Sequence, residues 1–95
     1  MSIKTFSNSD FQLVNGLYIS SGVCIEKDGA AVQVVTTAEA TVTVQRAVNA
    51  KDFTPIADFS TKINGVGEFS VSGCLPGQWL RIASTLAPVS CNILT

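Results

Sequence analysis

Apolar and β-branched residues alternate with polar ones along most of this chain, and turn dipeptides break the alternation about every eight to twelve residues. Side chains of a strand point to opposite faces in turn, so period-two patterning predicts strands with one buried face. No stretch carries the 3.6-residue period of an amphipathic helix. The pattern predicts an all-β fold: an antiparallel two-sheet β-sandwich, jelly-roll-like, of seven or eight short strands. A barrel is the alternative architecture.

Residues 1–10 are polar and irregular, and read as a flexible or docking N-terminal arm; residues 11–95 then form a single sandwich domain. The first strand is expected over residues 11–19, with Asn15-Gly16 as a bulge or break. Strands at 23–26 and 31–36 flank Lys27-Asp28-Gly29-Ala30, where Asp-Gly signals a type I′ hairpin because both central residues need positive φ. Residues 41–46 alternate most cleanly: Val42 and Val44 face the core, while Thr41, Thr43 and Gln45 face water or a partner. A polar turn follows at 48–52. Residues 53–59 run extended, with Pro55 placing them at an edge or a strand start.

Asn64-Gly65 reads as a second hairpin turn, leading to a strand at 68–72 with Phe69 and Val71 inward. Leu75-Pro76-Gly77 predicts a type II turn, proline presetting φ and glycine supplying the positive value. In the next strand Leu80 and Ile82 point inward, which turns Trp79 and Arg81 outward. Val89, Cys91 and Ile93 line one face of the last strand.

Composition changes this picture in one respect. Only 14% of the residues are charged, and mean hydropathy is +0.37, against about 25% charged in an ordinary soluble domain. Yet no apolar run reaches the ~18 residues of a membrane helix. So weakly charged a surface is explained if neighbouring subunits cover much of it, and a homo-oligomer, such as a trimer, is expected. The bland reading is a monomer with a Thr/Ser-rich surface. The six basic residues are scattered singly, and the net charge is −1, so nothing would track a phosphate backbone. The first ten residues lack an apolar signal segment, so folding in a cytoplasm is expected. Cys24, Cys74 and Cys91 lack metal-site spacing and read as small buried hydrophobes.

Candidate chemistry is sparse. There is no histidine, which removes the Ser-His-Asp and Cys-His arrangements. Seven carboxylates, Asp10, Glu26, Asp28, Glu39, Asp52, Asp58 and Glu68, sit mostly in or beside predicted turns, where Asp caps backbone and Glu stays solvated. The expectation is a non-enzymatic protein with no cofactor and no metal. Trp79 with Arg81 is the candidate interface or glycan contact, an aromatic beside an arginine being a common binding pair. Tyr18 is a weaker candidate of the same kind. The alternative for Trp79 is packing beneath a loop at the sandwich edge.

Over residues 40–94 the succession Ala40-Thr41-Val42-Thr43-Val44-Gln45, Lys51-Asp52-Phe53-Thr54-Pro55-Ile56, Asn64-Gly65-Val66-Gly67-Glu68-Phe69-Ser70-Val71 and Pro76-Gly77-Gln78-Trp79-Leu80-Arg81-Ile82 resembles small β-sandwich proteins of tailed bacteriophage particles. These look like pared-down discoidin or carbohydrate-binding sandwiches. The resemblance covers a little over half the chain and is carried by turn and strand patterns. It departs from the pattern at Asn49-Ala50-Lys51-Asp52, where such sandwiches often have Asp-Gly. It implies a virion component, a capsid decoration or cement protein or a head-fibre part, whose partners are the major capsid protein or other virion subunits. A glycan-binding host-attachment module of a tail fibre is the second expectation. The resemblance assigns no residue a role.

Overall fold

The computed structural model describes residues 3–49, 51–72 and 75–95, with 55–59 and 69 described by backbone alone. Among the described residues ten strands make two antiparallel sheets. In chain order they are β1 (Ile3–Ser7), β2 (Gln12–Val14), β3 (Leu17–Ile19), β4 (Val23–Cys24), β5 (Ala30–Val35), β6 (Ala40–Ala47), β7 (Thr54–Ile63), β8 (Val66–Val71), β9 (Trp79–Ser84) and β10 (Ser90–Leu94). A 3-10 turn, Asn8–Asp10, follows β1. The first sheet has the order β1-β10-β5-β8; the second has β2-β3-β9-β6-β7, with β4 also paired to β9.

Set β2 and β4 aside, and the remaining eight strands pair first with last, second with seventh, third with sixth and fourth with fifth (β1–β10, β3–β9, β5–β8, β6–β7). That nesting is a jelly roll. The sandwich expected from the alternation is therefore the observed architecture, with more strands than expected.

Alternation sets the faces. Val32 and Val34 of β5, Val42 and Val44 of β6, Leu80 and Ile82 of β9, and Cys91 and Ile93 of β10 are all completely or almost completely buried between the sheets. Val71 joins them, whereas the Phe69 side chain lies outside the described residues. Val89 is exposed: it precedes β10, and its N–H donates to the Val35 carbonyl at the strand entry (2.8 Å).

Several local expectations are corrected. Residues 3–7 are not an arm; they pair along β10 from Ile3–Leu94 to Ser7–Ser90 and form the edge of the first sheet. Asn15 and Gly16 both have positive φ (51° and 82°), so the break in the first strand is itself the two-residue type I′ turn joining β2 to β3. Lys27-Asp28-Gly29-Ala30 makes no hairpin: β4 pairs with β9 and β5 with β10 and β8, so the chain crosses between sheets there. Glycine is needed for closeness, since a Cβ on Gly29 would stand 2.6 Å from the Val71 carbonyl oxygen.

Asn64-Gly65 is likewise a corner between sheets. Thr36 holds it: the Thr36 hydroxyl donates to the Ile63 carbonyl and accepts from the Gly65 N–H, both at 3.3 Å. The expected type II turn is present, with Gly77 at φ 95° and the Gln78 N–H donating to the Leu75 carbonyl at 3.1 Å. Cys91 is buried, but Cys24 is exposed, and Cys74 lies outside the described residues.

Candidate functional site

Two outward faces carry the features that core packing leaves unexplained. On the six-stranded sheet, β9 sends Leu80 and Ile82 into the core and so turns Trp79 and Arg81, both half-buried, outward. The register with β6 sets Trp79 opposite Ala47 and Arg81 opposite Gln45. Residues opposite each other across an antiparallel pair share a face, and here the pair is bonded: Arg81 Nε donates to Gln45 Oε1 at 2.6 Å.

The loop after β6 brings an aromatic to the same place. Asn49 Oδ1 accepts from the Lys51 and Asp52 N–H groups (3.0 and 2.9 Å), and Asn49 Nδ2 donates to Asp52 Oδ2 (2.8 Å). This self-bonded turn precedes Phe53, whose ring centroid lies 4.3 Å from the Arg81 guanidinium carbon. That is a cation–π stack. Gly22 makes room for the cluster, since a Cβ there would lie 3.0 Å from Phe53 and 3.3 Å from Trp79. Partial burial pulls the Arg81 guanidinium below its ordinary pKa. Among the described residues no carboxylate pairs with it.

Beside Arg81 opens a pocket of about 190 Å³, walled also by Asp10, Gln12, Val14, Ile19, Ser20 and Ser21. β2 supplies Gln12 and Val14, and β3 supplies Ile19 from the same face, because Gln12 sits opposite Ile19. Ser20 continues the pairing where β3 ends: its N–H donates to the Ile82 carbonyl, and its hydroxyl accepts from the Ile82 N–H. Asp10 is fixed through one oxygen, Oδ2, which accepts from the Ser7 N–H and hydroxyl (2.8 and 3.0 Å).

Trp79 and Arg81 thus share a surface, as alternation predicts. Tyr18 does not join them: it pairs with Leu13 and Ser84 on the inner face of the same sheet and packs against the core. Gln45, Phe53, Asp10 and Gln12 were not singled out by sequence. The register of β6 with β9 reveals Gln45, the turn held by Asn49 reveals Phe53, and the turn at 8–10 with the pairing of β2 and β3 reveals Asp10 and Gln12.

The outer face of the four-stranded sheet differs. Three rows cross it: Ile3–Leu94–Ala31–Ser70, Thr5–Asn92–Gln33–Glu68 and Ser7–Ser90–Val35–Val66. In the middle row the Thr5 hydroxyl donates to Asn92 Oδ1 (2.8 Å) and Asn92 Nδ2 donates to Gln33 Oε1 (3.2 Å). Ile3 and Val66 stand well exposed, at 63% and 66%. A shallow trough of about 460 Å³ runs along the ladder. Glu68 is the one charged residue among these twelve positions.

No cluster of three or more His, Cys, Asp or Glu suited to a metal occurs among the described residues. No protein-family model matches the chain, and no curated protein does. Among solved structures, the Drosophila melanogaster CENP-C bound to CAL1 aligns with a TM-score of 0.41 and 14% identity. The alignment covers 96% of this chain, which spans 56% of that one. At that score it bears on neither fold nor function.

Proposed function

We propose that this protein is a non-enzymatic structural part of a bacteriophage particle, a decoration, cement or head-fibre component made in the host cytoplasm. In this reading the outer face of the four-stranded sheet seats against neighbouring subunits, copies of this chain and the major capsid protein among them. One observation carries the reading: a four-stranded face with a single charge and protruding Ile3 and Val66. Water solvates such a face poorly, and covering it releases apolar surface at about 25 cal/mol per Å² before association costs.

Size favours a many-copy setting. Four strands about 4.8 Å apart and five residues long cover roughly 300 Å², well under the ~800 Å² per partner of a stable pairwise interface. A contact that small is weak between two free chains, populated only as concentration rises, and it holds firmly when many are made together, as on a repeating shell. The ladder also fixes orientation, because Asn92 and Gln33 present amides at set positions. The resemblance over residues 40–94 supports the phage setting; the nearly uncharged face supports the assembly role.

The test is occupancy. Gln33→Lys places a charge at the centre of the face without touching the core. Recombinant chain is added to particles of the phage that encodes it, and bound copies are counted by mass spectrometry. The substitution is expected to lower occupancy at least about tenfold, the equivalent of ~1.4 kcal/mol. Equal occupancy for both proteins would overturn the reading.

A further inference from the structure

We propose that the pocket beside Arg81, on the sheet opposite the assembly face, binds one neutral sugar ring. The inference is independent of the phage reading and rests on what the pocket offers. Arg81 spends its Nε–H on Gln45. Its four remaining N–H groups take no hydrogen bond or ion pair among the described residues. Stacking on Phe53 and the bond to Gln45 hold the guanidinium in place, so little side-chain freedom is lost on binding.

The chemistry of the walls selects the ligand. Arg81 can only donate, and Asp10 can only accept. Gln12 and Ser21 do both. The Ser20 hydroxyl is already used, accepting from the Ile82 N–H and donating to the Ser21 carbonyl. A simple anion would satisfy Arg81 but meet the Asp10 carboxylate across the pocket. Hydroxyl groups both donate and accept, so adjacent ones can satisfy Arg81 and Asp10 together.

Val14 and Ile19 add an apolar wall, suited to the C–H face of a sugar. A pocket of about 190 Å³ that is open on one side has room for one ring, and a longer glycan would run out of it into solvent. A ligand that small binds in the millimolar range.

The full chain, labelled with ¹⁵N, is titrated with glucose, galactose and mannose, then with glucuronate and acetate, and with glycerol as a control. At least one neutral hexose is expected to give saturable shifts confined to the amides of Gln12, Ile19, Ser20 and Ser21 and to the Arg81 Nε–H. Arg81→Gln and, separately, Gln12→Ala are expected to weaken binding at least about tenfold, with the rest of the spectrum unchanged. Gln12 lies exposed on an edge strand, so its variant keeps the test open if Arg81→Gln fails to fold. No saturable shift with any of the three hexoses would overturn the proposal. So would saturation by glucuronate and acetate alone, or hexose binding undiminished in both variants.

Discussion

The two outer faces of this sandwich are built from the same strand alternation, yet they are different objects. The face of the four-stranded sheet is open, with only a shallow trough, and nearly uncharged, and its polar groups satisfy one another in a ladder from Thr5 through Asn92 to Gln33. The face of the six-stranded sheet is concave beside Arg81, where a charge is held by an aromatic ring and an amide with no counter-ion among the described residues. The difference lies in what covers each sheet. The turn at 8–10 and the hairpin of β2 and β3 stand beside the second face and wall its pocket, while Phe53 stacks on Arg81. The first face is strands alone. An open, self-satisfied face suits a large complementary surface, and a walled one suits a small polar ligand.

The strongest way to break the comparison is to remove what both faces share. Ile82 is fully buried beneath β9, and Ile82→Ala is expected to cost about 2–5 kcal/mol, read by urea denaturation. It should weaken both activities in proportion to the unfolded fraction. Loss of one alone would mean that the faces do not rest on a common core.

Alkaline pH should act from the side of the first sheet. Burial pushes the Cys91 thiol up to about 12. Below the unfolded thiol's pKa, about 8.5–9, both states are protonated and the contribution is complete. As pH rises from there towards 12 the unfolded chain alone loses its proton, so stability falls. Cys91→Ala should flatten that slope in unfolding curves taken across the range. Site-resolved alkylation at pH 8 should modify exposed Cys24 well before Cys91.

A subtler change separates the faces. Gln45→Ala removes the acceptor that orients Arg81 and is expected to cost about 1 kcal/mol. The Arg81 Nε–H resonance should move, while residues of the Thr5–Asn92–Gln33 row keep their shifts. Movement in that row would show the faces to be coupled. Gln33→Lys removes the acceptor of the partly buried Asn92 bond and is expected to cost no more than about 1 kcal/mol by denaturation, too little to unfold the chain, so that a tenfold loss of assembly belongs to the face itself.

Much of the second face was legible in the sequence. Alternation through Leu80 and Ile82 is enough to turn Trp79 and Arg81 outward. The same rule placed Val42 and Val44 in the core. It could not place Gln45 and Phe53 against Arg81, because those contacts span 36 and 28 positions and depend on which strands are neighbours. Tyr18, a candidate of the same kind as Trp79, falls on the opposite face of the sheet for a related reason: the type I′ turn at Asn15-Gly16 starts a new strand, and its facing follows from the register with β9. Asp28-Gly29 and Asn64-Gly65 carry the residues of hairpin turns but serve crossings between sheets. Glycine permits a tight chain reversal in either case, and local sequence does not say which strand receives the chain. The strand at residues 3–7 carries no readable alternation, because its inward positions are Lys4 and Phe6 while the apolar Ile3 points outward.

The central claim is that the open face of the four-stranded sheet is where this protein joins its neighbours. Light scattering on the native chain and on Gln33→Lys, each over a series of concentrations, tests it most directly. The account predicts that the native mass rises above the 10.0 kDa of one chain as concentration increases, while Gln33→Lys, equally folded, stays at the monomer. The same mass for both proteins at every concentration would contradict it.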